Sequence, residues 1–70
     1  SDEMEDLQLI CDLLTKTLRM TGNLSDLKKL DYNGKTETVK ATFENGSVKT
    51  ANVAADSGTS MIRDIIAQIL

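Results

Sequence analysis

The sequence has no histidine, no proline and no tryptophan, and it has one cysteine, Cys11. Without histidine the chain lacks the commonest metal ligand and the commonest general base. One cysteine cannot form an intrachain disulfide, and alone it cannot build a structural zinc site. A nucleophilic cysteine would also lack its usual base. Cys11 therefore reads as a small buried hydrophobe. No metal, no cofactor and no catalytic residue is expected. Aromatic rings are scarce as well: Tyr32 and Phe43 are the only two. The core must be built from Leu, Ile, Val, Met and Ala.

Long apolar runs are missing too. None approaches the roughly 20 residues that a membrane-spanning helix needs. No charged segment leading into an apolar one marks a secretory leader. A lone cysteine fits a reducing compartment, so the expected location is cytoplasmic. The formal net charge of −3 disfavours attraction to an anionic membrane and to a nucleic-acid backbone, where affinity comes from clustered Lys and Arg.

What is present is a folded composition: 40% hydrophobic and 27% charged over 70 residues. Residues 1–70 read as one domain. A chain of this size buries only about 60% of the surface its unfolded form exposes, so its core alone supplies little stability. Disulfides and metals are excluded as supports, which leaves association with a partner. Elimination points to a homo-oligomer.

The organising stretch is 35–54, two strand-like runs around Asn45-Gly46, a strong hairpin signal. Val39, Ala41 and Phe43 alternate with Thr38, Lys40 and Thr42. A two-residue turn pairs Phe43 with Val48. The same register puts Val39 opposite Asn52, a poor match, and a bulge near Thr50 to Asn52 would return Val53 to the buried side. Upstream, Leu24, Leu27 and Leu30 have near-helical spacing, yet Leu30 and Tyr32 alternate with polar neighbours. Residues 28–32 read as a short edge strand, followed by a second turn of the same kind at Asn33-Gly34.

A helix is predicted on each side. Ser1 or Asp2 can cap the first, which runs from about Met4 to Met20. At about 100° per residue, Met4, Leu7, Ile10, Cys11, Leu14 and Leu18 form one stripe. Glu5, Gln8, Asp12, Thr15, Lys16 and Arg19 lie opposite. Gly22 is the natural residue to end this helix. Leu9, Leu13 and Met20 form a second apolar line. Its simpler reading is packing against the other helix of the same chain; its sharper reading is an interface with another subunit. In the last segment, Met61, Ile62, Ile65, Ile66, Ile69 and Leu70 cover nearly half a helix, which predicts a well-buried element.

The expected fold class is α+β: two helices packed on one face of a small antiparallel β-meander, in the order α-β-β-β-α or α-β-β-α. The first order is similar to that of double-stranded-RNA-binding domains. That resemblance implies a basic cluster at the start of the second helix, which would fall at Ser57 to Arg63. Only Arg63 is basic there, so the family's function does not carry over.

Two candidate sites remain. The loop Asp56, Ser57, Gly58, Thr59 and Ser60 has the small residues that hold an anion at a helix start, but the same residues are ordinary caps. The candidate interaction surface comprises Leu9, Leu13 and Met20 on the first helix and Thr38, Lys40, Thr42 and Lys49 on the sheet. The sheet set lacks interleaved aromatics for stacking bases. The carboxylates Asp2, Glu3, Glu5, Asp6 and Asp12 read as a solvated helix face, because an acid–base pair needs a cleft that shifts one pKa. The expectation is therefore a small non-enzymatic protein-interaction or accessory module that self-associates. The alternative is a nucleic-acid-binding module using the Lys/Thr sheet face.

Overall fold

The computed structural model describes residues 3–54 and 57–70; Ser1, Asp2 and Asp56 lie outside them, as do the side chains at positions 3–5, Met4 among them. The element order is α1 (Glu3–Met20), β1 (Leu27–Asn33), β2 (Thr38–Phe43), β3 (Val48–Asn52) and α2 (Gly58–Ile69). The strands form one antiparallel sheet in the order β1-β2-β3. This is the α+β fold the alternations predict. Both helices lie on one face of the sheet, α1 over β1 and α2 over β3, and they touch each other little.

The core follows the main stripes. Leu7, Cys11 and Leu18 of α1 and Met61, Ile65 and Ile69 of α2 are buried against Leu27, Leu30, Val39, Ala41, Phe43, Ala51 and Val53. Ile10, Leu14 and Tyr32 pack at its margin. Thr15 departs from its expected place on the polar face. It is buried, and its hydroxyl donates to the Cys11 carbonyl at 2.8 Å. That back-bond satisfies the hydroxyl within the helix, so threonine can occupy a core-facing position without an orphaned polar group. Gly22, at φ +84°, ends the helix as expected.

The β2–β3 register differs by one residue from the two-residue turn. Thr42 pairs with Val48, and Val39 pairs with Ala51. Phe43 N–H donates to the Ser47 carbonyl and Gly46 N–H donates to the Phe43 carbonyl, each at 2.9 Å. Gly46 holds φ +87°. The connection is therefore a three-residue loop, a turn closed by a left-handed glycine. Ser47 N–H donates to Asn45 Oδ1 at 2.9 Å, so Asn45 supports the turn with its side chain. The shift removes the poor Val39–Asn52 pair, and Val53 is buried with no bulge at Thr50 to Asn52. It also turns Val48 outward, 50% exposed.

The irregularity sits in β1 instead. The register slips between Leu27 and Lys29, making Lys28 the extra residue. A strand alternates faces every residue, so Leu27 and Leu30 cannot both point inward without it. The bulge reconciles their helix-like spacing with a strand. At the other end of β1 the second turn is longer than Asn33-Gly34. Asn33 Oδ1 accepts from Lys35 N–H at 2.9 Å and Thr36 N–H at 3.3 Å, and Glu37 takes the left-handed conformation at φ +52°. β2 accordingly starts at Thr38 rather than Lys35.

α2 is less enclosed than its six apolar residues suggest. Met61, Ile65 and Ile69 are buried, whereas Ile66 and Leu70 are exposed.

Candidate functional site

Two surfaces carry the candidate residues. The first is the sheet face away from the helices. The registers place Lys29, Asp31 and Asn33 of β1 beside Thr42, Lys40 and Thr38 of β2, and then Val48, Thr50 and Asn52 of β3. Part of this face forms an open depression of about 720 Å³ lined by Lys29, Asp31, Asn33, Thr38, Lys40 and Thr50, among others. Its charge is mixed. Lys29 Nζ lies 3.5 Å from Asp31 Oδ2, and Asp31 is the cross-strand neighbour of Lys40.

Lys49 is not part of this face. It pairs with Ala41, whose side chain points into the core, so Lys49 emerges on the helix side of the sheet. Its ammonium sits 5.9 Å from the Phe43 ring centroid and 3.5 Å from the Ile69 carbonyl. α2 has no basic residue in its own last turn, and Lys49 supplies the positive charge that the C-terminal end of a helix favours. The one-residue register difference is the reason: a slip of one moves every side chain of a strand to the other face.

The second surface is the outer side of α1. Leu9 and Leu13 are each 55% exposed and Met20 is 86% exposed. They do not pack against α2, because α2 lies over β3 and meets α1 near its own start. There, a Cβ on Gly58 would stand 2.7 Å from Ile10 Cδ1.

The loop before α2 acts as a cap. Ser57 is the N-cap residue, and its Oγ accepts from Ser60 N–H at 3.1 Å. Asp56 lies outside the described residues. Cys11 is fully buried, and burial, with the charges of Asp12 and Asp31 adding, pushes its thiol from 9.0 to about 11. Such a thiol is not a nucleophile near neutrality. Among the described residues no cluster of metal-ligating side chains occurs, and no helix is long and apolar enough to cross a membrane.

Two glutamines have a role that their polarity in the sequence did not reveal. Gln8 of α1 reaches the outer edge of β1: its Nε2 donates to the Leu30 carbonyl at 3.0 Å and its Oε1 accepts from Tyr32 N–H at 2.8 Å. Gln68 of α2 does the same for β3, with Nε2 donating to the Asn52 carbonyl at 2.6 Å and Oε1 accepting from Asn52 N–H at 2.8 Å. Asp64 Oδ2 accepts from Ala54 N–H at 2.8 Å just beyond. Both edge strands thus have part of their outward backbone occupied by a helix side chain, which blunts pairing with a further strand. Gln8 departs from its expected place opposite the buried stripe; at about 100° per residue it stands at the stripe's flank, and that position was the available signal.

No family model, no curated protein and no solved structure matches this chain. The order α-β-β-β-α is what the chain has in common with double-stranded-RNA-binding domains.

Proposed function

We propose that this chain is a small non-enzymatic protein-interaction module that self-associates through the outer side of α1. The observation behind the reading is the exposure of Leu9, Leu13 and Met20 along a helix whose opposite side already fills the core. Contiguous exposed apolar side chains of this kind mark interaction surfaces. The occupied strand edges argue against partner binding by strand addition, and the mixed charge of the open sheet face makes it the weaker candidate. The lone buried thiol supports a reducing, cytoplasmic setting.

The nucleic-acid reading loses support with Lys49 on the other face and Asp31 between Lys29 and Lys40. Retention of RNA or DNA at low salt would revive it.

A patch drawn from one helix belongs to the small interface class, below about 1,200 Å² in total, so association is expected to be weak and concentration-dependent. Leu13→Glu is the decisive variant. Glutamate is a good helix former, and the position is half exposed, so the fold persists while the apolar line is broken. Sedimentation equilibrium should show the wild type gaining mass with concentration and Leu13→Glu remaining monomeric. Equal behaviour of the two would refute the assignment to this surface.

A further inference from the structure

The outer side of α1 holds more than three apolar residues. Asp6, Leu9, Leu13, Lys16 and Met20 follow one another at spacings of three, four, three and four. That is the a/d repeat of a coiled-coil seam. At about 100° per residue the five fall within about 80° of the circumference, and all are exposed. The seam is apolar at its middle, with an acid before it and a base after it. The ion pairs among the described residues are Lys29–Asp31 and Arg63–Asp64, and neither Asp6 nor Lys16 is paired among those residues.

This polarity decides how two copies fit. In a parallel, in-register pair, Asp6 would face Asp6 and Lys16 would face Lys16, like charges on both sides of the leucines. Turned antiparallel about a two-fold axis at the level of position 11, on the side of α1 opposite the buried Cys11, Leu9 of each copy meets Leu13 of the other. Asp6 of each copy then meets Lys16 of the other, an a position against a d position in every layer. A two-fold contact repeats each favourable pair. We infer that the partner is a second copy of this chain, docked α1 to α1 in antiparallel, with a Leu9/Leu13 centre closed at both ends by reciprocal Asp6–Lys16 pairs. The inference rests on the self-association proposed above and adds its orientation and its specificity.

Single cysteines at the seam test it on the full chain. Asp6→Cys and Lys16→Cys are oxidised separately and as an equal mixture, with the wild type as control, since its buried Cys11 stays out of the reaction. In the antiparallel seam the two like thiols of either variant alone lie ten residues apart along the helix, about 15 Å at 1.5 Å per residue, too far for a disulfide. A covalent dimer is expected only in the mixture. Cross-linking of each variant alone would overturn the orientation. Charge exchange gives an independent reading. Asp6→Lys and Lys16→Asp should each weaken association on the order of tenfold, and the double variant Asp6→Lys/Lys16→Asp should restore it. A wild-type dimer whose mixture fails to cross-link, or whose charge variants leave it unchanged, would overturn this inference alone. A wild type that stays monomeric at every concentration would overturn the reading beneath it.

Discussion

Replacing Gln8 by alanine should destabilise this domain more than replacing Gln68, although both side chains make the same pair of bonds to a strand edge. The difference is solvent. Gln8 is half-buried between α1 and β1, and its partners are the Leu30 carbonyl and Tyr32 N–H. Leu30 is itself buried. Gln68 is exposed, and so is Asn52. In Gln68→Ala, water takes over both backbone groups, and the loss should be about 0.5–1 kcal/mol. In Gln8→Ala, water reaches the two groups poorly, and a buried unsatisfied donor or acceptor costs about 1–3 kcal/mol. Alanine has the best helix propensity, so the change to α1 itself works against the effect and does not inflate it. A domain of this size has few kcal/mol in total. At about 4–8 °C per kcal/mol, the Gln8 variant should melt roughly 10 °C below the wild type. Thermal melts followed by helical circular dichroism, at one fixed protein concentration, measure this directly. A Gln8→Ala melting temperature equal to or above that of Gln68→Ala would refute the reasoning.

Cys11 provides a pH test. Its thiol is pushed from 9.0 to about 11 in the fold, so between those values the unfolded chain has lost a proton that the folded chain keeps. Stability should therefore fall as pH rises from about 9 to about 11, on the order of 3 kcal/mol from this group, and urea titrations of Cys11→Val should show a shallower decline. At neutral pH the native thiol should be inert to a thiol reagent until the protein is unfolded; rapid labelling of the folded chain would contradict its burial. Gly58 and Ile10 should prove coupled. Gly58→Ala adds a methyl 2.7 Å from Ile10 Cδ1, Ile10→Val removes that Cδ1, and the double variant should exceed the sum of the singles by at least about 0.5 kcal/mol. Simple additivity would mean the two helices do not meet there.

Much of the architecture was legible because it depends on periodicity. The stripe of Leu7, Cys11 and Leu18 and the alternation of Val39, Ala41 and Phe43 each choose a face without reference to the rest of the chain. The hairpin register did not follow in the same way. Asn45-Gly46 suits a two-residue turn, but Gly46 alone in the left-handed region suits a three-residue loop equally well. The choice is made by the core, which needs Ala51 rather than Asn52 opposite Val39. The poor pairing in the two-residue register was the clue. Everything downstream of that choice moved with it, including the side of the sheet that Lys49 occupies. Thr15 and the two glutamines show a second limit. A polar side chain whose partner is backbone reads as solvent-facing in sequence: the Thr15 bond to Cys11 forms within the helix and frees that position to face the core, and the glutamine bonds to Leu30 and Asn52 exist only once the elements are packed. The exposed line of Leu9, Leu13 and Met20 was visible from the start. Its lack of a partner among the described residues was not, because it depends on α2 lying over β3.

The molar mass of the wild-type chain in solution reports whether the outer side of α1 is an interface between copies. Light scattering from micromolar to millimolar concentration should show the mass rising from that of one chain towards that of two. A mass equal to one chain across the whole range would contradict the account.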